Sequence, residues 1–184
     1  MRKHPAKLLC FWGLSMIRIK GRLIGLCLGL LGFGGSFAQI PTNCFEIESV
    51  LVDACGAGTQ EGLNEMVIFQ VGPANLNTAD LTVTWPNTTN PWTGICQNAG
   101  TAAKVLAINN TITGCGRLIE PVGGILPAGK RVLLFASVSV DQTLHSFVNL
   151  NDTLIAIFHC GNNTGGNFAN SGAGTRTLTM NFSV

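Results

Sequence analysis

Cys44–Gly72 reads CFEIESVLVDACGAGTQEGLNEMVIFQVG. Two apolar-rich runs, Phe45–Ala54 and Leu63–Val71, flank a loop at Gly56–Gly62 that carries glycine and acid. Val, Ile and Phe with intervening polar residues read as strands, and the glycines between them read as the turn. The stretch is therefore expected to form a long, buried hairpin that opens the folded domain. It also holds Glu46, Glu48, Asp53, Glu61 and Glu65, five of the nine acids. Period-two alternation puts Glu46 and Glu48 on one strand face and Asp53 on the other. Glu65 lies among apolar residues, where a carboxylate needs hydrogen-bond partners such as loop backbone.

Upstream, Leu23–Gly35 is an uncharged apolar run. Arg18, Lys20 and Arg22 precede it, and Ser36-Phe37-Ala38 follows as a small-x-Ala exit. This is the anatomy of a secretory signal peptide over residues 1–38, and the run is too short for an ordinary membrane span. The segment before Arg18 is long for a signal, and Met16 would start a compact one. Membrane contact is expected only through this segment, during export. Six of the 11 basic residues fall before position 39, so five remain against all nine acids. The remaining chain carries a net charge of −4 and lacks the basic footprint of a nucleic-acid binder. Residues 39–184 fit one domain with a core of its own.

Downstream, short apolar runs alternate with Gly, Pro and Asn turns. Leu81–Trp85, Gly116–Pro121, Lys130–Ser137, Asp152–His159 and Thr175–Val184 read as strands, with Lys130–Ser137 central. Thr101–Thr111 is the one helix candidate, with Thr101 as its N-cap. The pattern predicts an all-β fold, an antiparallel β-sandwich with one short helix.

Five cysteines follow residue 38, and an exported chain meets an oxidising compartment, so disulfides are expected. Cys96 and Cys115 bracket the helix and make the easiest pair. Cys44 and Cys55 lie at opposite ends of one apparent strand, roughly 36 Å apart if extended, beyond a disulfide's reach. Cys55 with Cys160 is then preferred, leaving Cys44 unpaired. An odd cysteine, and a chain that ends on a strand pattern, are expected of a domain truncated at its C-terminus.

NEMVIFQVG (Asn64–Gly72), LTVTW (Leu81–Trp85) and LPAGKRVLLF (Leu126–Phe135) together resemble lamin-tail-like domains, whose signature strands follow in that order. The wording of residues 39–184 (CFEIES, NPWTGICQN, GAGTRTLTM) is similar to the N-terminal domains of large secreted Bacteroidetes proteins. Those often end in a gliding-motility-associated C-terminal sorting module read by the type IX secretion system, which this chain lacks. The resemblance implies an immunoglobulin-like sandwich, secreted or on the outer cell surface. It makes Asn64-Glu65 part of the fold's signature and supplies no catalytic residue. Asp152-Thr153-Leu154 resembles an acid–Thr–apolar O-glycosylation sequon.

Asp53, Glu61 and Glu65 are weak candidates for Ca²⁺, a hard cation that takes several oxygens, but their spacing matches no calcium loop. Exposed carboxylates on a solvent face are the plainer reading. His145 and His159 lack zinc-site spacing. Adjacent strand residues point to opposite faces, so His159 and Cys160 do not make a base–nucleophile pair. No nucleophile elbow, Walker loop or dinucleotide fingerprint is present. Trp85 ends a strand and belongs to the core, whereas Trp92, between Pro91 and Thr93, is the candidate for an exposed ring that stacks on a sugar or protein partner. The expected function is therefore non-enzymatic and cofactor-free: adhesion, binding or structural spacing as part of a larger secreted protein, toward a protein or glycan partner. The alternative is a calcium- or carbohydrate-binding domain accessory to a secreted hydrolase.

Overall fold

The computed structural model describes residues 44–54, 58–168 and 176–183. The chain divides into Met1–Ala38 and Gln39–Val184. The first unit, with the signal peptide and Met16, lies outside the described residues, as does Cys55.

The described residues form a mainly-β fold with one helix. The strands are β1 (Phe45–Leu51), β2 (Met66–Val71), β3 (Leu76–Asn77), β4 (Leu81–Thr84), β5 (Ile95–Cys96), β6 (Arg117–Ile119), β7 (Ile125–Leu126), β8 (Arg131–Phe135), β9 (Thr153–His159) and β10 (Thr179–Phe182). The helix α1 is Ala99–Asn109. The main sheet runs β1-β2-β8-β9-β5, with β6 also on β9. Two small sheets, β4 with β10 and β3 with β7, complete the strand pairing among the described residues.

The hairpin forms, with β1 and β2 antiparallel and Phe45 opposite Val71. The sheet is mixed, and this corrects the purely antiparallel expectation: β8 pairs β9 in parallel, and β6 pairs β9 in parallel. A parallel pair needs a crossover connection, which residues 136–152 provide after β8. Strand alternation and turn residues are the same for both pairings, so local pattern does not distinguish them.

β2, β8 and β9 are apolar on both faces because both faces are covered. On one face Val67, Phe69, Val132, Leu134, Ile155 and Ile157 pack against Leu81, Val83, Trp85, Met180 and Phe182 of the β4–β10 layer. On the other, Met66, Leu133, Phe135, Ala156 and Phe158 pack with Val105 and Ile108 of α1. Each fully buried Val, Leu, Ile, Phe or Met among them contributes about 1.5–3 kcal/mol by leaving water.

β1 is different, and here the expected burial fails. It ends the sheet order among the described strands, and every residue after Phe45 is exposed. Ile47, Val50 and Leu51 are 37–38% exposed. A bulge between Ile47 and Ser49 shifts the register by one residue, so the simple alternation of Glu46 and Glu48 does not continue along the strand. Glu48, at the bulge, makes a forked contact with Arg131 two strands away (2.6 Å to Nη2 and 2.9 Å to Nε).

The helix begins earlier than expected. Asn98 is the N-cap, and its side chain accepts from the Gly100 and Thr101 backbone N–H groups. Thr101 is the reciprocal member of this capping box, since its hydroxyl accepts from the Asn98 N–H at 2.8 Å.

Candidate functional site

Two regions bear on function. Both belong to the opening hairpin: a buried polar clasp beneath β2 and the exposed side chains of β1.

The clasp is built on Asn64-Glu65, which enter β2. Both are buried, with Glu65 at 0% exposure. Its Oε2 accepts from the Asn167 backbone N–H at 2.6 Å and from Asn167 Nδ2 at 2.9 Å. Its Oε1 accepts from the Phe168 N–H at 3.3 Å. Burial raises the carboxyl above the ordinary glutamate value, and the Asn167 and Phe168 donors pull against that rise. Asn64 reaches the other way: its Oδ1 accepts from the Asp141 N–H at 2.8 Å and its Nδ2 donates to the Gln60 carbonyl at 3.0 Å. One dipeptide thus ties the segments around 60, 141 and 167 to the sheet.

Asn167 closes the clasp by donating from Nδ2 to the Gly62 carbonyl at 3.0 Å. Gly62 is glycine for want of room: a Cβ there would collide with Asn163 and Gly166 backbone. The carbonyl of Gly166 collects the side-chain amides of Asn87, Asn90 and Asn163 at 2.8, 2.6 and 3.0 Å. The Asn-rich segments therefore hold one another. Asn87 and Asn162, each an Asn-x-Thr position, take part in loop hydrogen bonding, the latter by accepting from the Ser137 hydroxyl at 2.8 Å.

Beside the clasp lies an aromatic group. Trp85 is 2% exposed. Trp92 is not an exposed stacking platform: its ring lies on His159 with centroids 4.7 Å apart at 9°, and its Nε1 donates to the Leu81 carbonyl at 3.0 Å. It is half-buried because the Pro86–Gly94 loop folds back over β9 rather than projecting from it. His159 is buried. The Thr93 backbone N–H donates to Nε2 at 3.0 Å, which makes Nε2 an acceptor and places the proton on Nδ1, 3.1 Å from the Ala136 carbonyl. Burial holds this imidazole below the ordinary histidine value, while the hydrogen bond to Ala136 opposes the shift. His145 lies elsewhere, on the 138–151 connection, where burial also lowers it and Asp141 acts in the opposite direction.

The disulfide joins Cys96 to Cys160. This corrects both expected pairs, Cys96–Cys115 and Cys55–Cys160. β5 lies antiparallel on the end of β9, with Ile95 opposite His159 and Cys96 opposite Phe158, which brings Cys160 within reach. Cys115 is exposed and free in the turn before β6, and Cys44 is free and half-buried.

Among the described residues no group of three or more His, Cys, Asp or Glu side chains is placed to hold a metal ion. Of the calcium candidates, Asp53 is exposed just past β1, Glu61 is half-buried in a 3-10 turn, and Glu65 is the buried centre of the clasp. Glu61 stands near enough to Glu65 to add to the rise of its pKa. No described helix is long and apolar enough to cross a membrane.

Three exposed large apolar side chains, Ile47, Val50 and Leu51, lie on β1, and Leu106, Ile119, Val122, Ile125 and Val148 are exposed elsewhere. A cleft of about 350 Å³ lies on one side of β1, lined by Val50, Val52, Pro86, Phe168, Arg176 and Leu178. A second, of about 280 Å³, lies on the sheet face from β1 across to β9, lined by Ser49, Leu51, Met66, Ile68, Leu133 and Leu154 with Phe147 and Leu150. Both are walled mostly by carbon, with Arg176 at the first. The bulge sets this arrangement, since it sends Ser49 and Leu51 to one cleft and Val50 and Val52 to the other. Sequence reasoning missed Asn167, Gly62 and the bulge. An Asn inside a Gly/Asn-rich loop carries no local mark of burial.

Comparison with protein-family models, with curated proteins and with solved structures finds no match to this chain.

Proposed function

We propose that this chain is a non-enzymatic module of an exported protein, secreted or held at the outer cell surface, where it serves adhesion, binding or spacing within a larger assembly. On this reading the β-rich domain is a lamin-tail-like, immunoglobulin-like sandwich, and the segment before Gln39 is its export signal. The observation that carries the reading is the contrast within the opening hairpin. The two buried groups best suited to acid–base work, Glu65 and His159, are spent on backbone partners. The exposed apolar side chains Ile47, Val50 and Leu51 gather on one sheet edge beside two apolar clefts. Buried polar groups that hold loops support architecture, and clustered exposed apolar groups support contact with another molecule.

The test has two arms. A tag placed in the full chain should be reached by added antibody on intact cells, or appear in the medium. Purified chain, immobilised, should retain defined surface proteins or glycans from an array and turn over no substrate in a hydrolase panel. A chain held inside the cell, or one with turnover that survives Glu65→Gln and purification to homogeneity, would contradict the proposal.

A further inference from the structure

We propose that the cleft on the sheet face between β1 and β9 binds one slim alkyl chain that carries a cationic head group. This rests on the binding-module reading and names the ligand's chemistry. The floor of the cleft is a row of side chains across four strands: Ser49 of β1, Ile68 of β2, Leu133 of β8 and Leu154 of β9. The register sets the row, since Ser49 lies opposite Ile68 and Ile68 opposite Leu133. Leu154 shares a strand face with Ala156, which lies opposite Leu133. Leu51 and Met66, also opposite one another, make a second, shorter row beside the first. Phe147 and Leu150 of the 136–152 connection complete the wall. Seven of these eight side chains are apolar, and Ser49 is the exception.

Shape selects the chain. A row across four strands spans three strand spacings, about 14 Å. An extended alkyl chain advances roughly 1.3 Å per carbon, so about ten carbons span the row. The volume, about 280 Å³, lies at the small end for ligand sites, which suits a single chain and not a two-chain lipid. Hydrocarbon in a carbon-walled space gains by leaving water and asks for no hydrogen-bond partner.

Charge selects the head group. Arg131 stands two residues before Leu133 and therefore on the same face. It holds Glu48 of β1 by the forked contact and reaches Asp152, just before β9, at 3.4 Å. This ionic row borders the apolar row from β1 to β9. Two carboxylates against one guanidinium leave one negative charge, so an ammonium head is attracted and a carboxylate head repelled. The Asp152 side chain is 55% exposed against 27% for Glu48, which puts the head group at the β9 end.

The experiment is isothermal titration calorimetry of the full chain with alkylammonium ions of different chain length and with decanoate, all below their micelle concentrations. Affinity should rise roughly threefold to fourfold per carbon from about six carbons to about ten, as each CH₂ is buried, and should level off by about fourteen. Decylammonium should bind at least fivefold more tightly than decanoate on this charge argument, and Asp152→Asn should at least halve that preference. Leu51→Trp and Ser49→Phe each put a ring into the cleft from an exposed position and should weaken decylammonium at least tenfold. Leu106→Trp, at an exposed position on α1, should leave binding unchanged. Melting curves establish that each variant is folded. If neither filling variant folds, the chain-length series on wild type decides alone. No binding to folded wild type, affinity that keeps rising at the same rate to the longest chain, decanoate bound as tightly as decylammonium, or unweakened binding by a folded filling variant would overturn the proposal. If the alkyl ligands fail while the chain retains a surface protein or glycan, the alkyl site falls and the module reading stands. If both assays are negative, both fall.

Discussion

β1 and β2 are the two arms of one hairpin, yet they play opposite parts. Their sequences, FEIESVL and MVIFQV, are both rich in Val, Ile, Leu and Phe. β2 has β8 as its second neighbour and is largely buried, whereas β1 has no second neighbour among the described strands and is largely exposed. The apolar content of a strand therefore does not decide its burial. Its place in the sheet order does, and that order depends on pairings made more than sixty residues away, between Met66–Gln70 and Arg131–Phe135. The inner arm and its Glu65 clasp are the frame, and the outer arm is the exposed one.

The contrast breaks most visibly in the core of the inner arm. Phe69 is 0% exposed and touches the rings of Phe45 and Phe182 edge-on or tilted, at 5.5 and 6.2 Å. Phe69→Ala should cost about 4 kcal/mol in chemical denaturation, the sum of lost burial and the cavity left behind. A loss under about 1 kcal/mol would mean that β2 is not the packed centre.

Next in size is the clasp. Glu65→Ala strands the N–H groups of Asn167 and Phe168 in a buried place and should cost about 3 kcal/mol. Glu65→Gln keeps one acceptor oxygen and should recover part of that. If both variants melt with wild type, the clasp holds nothing.

A smaller effect is read in pH. His159 and His145 have folded values below the ordinary 6.5, because burial favours the neutral ring. Their contribution is full above about pH 6.5 and is lost as pH falls from there through the lowered folded values. Glu65 has the opposite sign: its folded value lies above 4.5, so its contribution is full below that pH and is lost as pH rises through the folded value. Between these limits the two histidines and the glutamate oppose each other. The melting midpoint of wild type minus that of His159→Gln should therefore shrink as pH is lowered from 7 to 5. A difference that is constant over this range would show that the Thr93 and Ala136 contacts do not hold His159 neutral.

The smallest effect belongs to the outer arm. Val50→Ala, at a position 38% exposed, should change stability by under about 1 kcal/mol. A loss as large as that of Phe69→Ala would erase the distinction between the two arms.

Much of the frame was legible from residues alone. β8 and β9 are short runs with almost no polar break, and they are the central strands. Trp85, at the end of LTVTW, is core, and Glu65 stood out as an acid inside an apolar strand. What was not legible is non-local. The Cys96–Cys160 bond spans 64 residues and follows from β5 docking on the end of β9. Trp92 has the neighbours of an exposed ring and is half-buried because its loop folds onto His159. The exposure of β1 follows from sheet order, and its paired clefts follow from a bulge that no glycine or proline marks.

The most direct measurement is native-state amide hydrogen exchange along the hairpin. The two-arm account predicts that amides of Met66–Val71 exchange only through global unfolding. It predicts that alternate amides of Glu46–Leu51 exchange far faster. Uniform protection of both arms would contradict it.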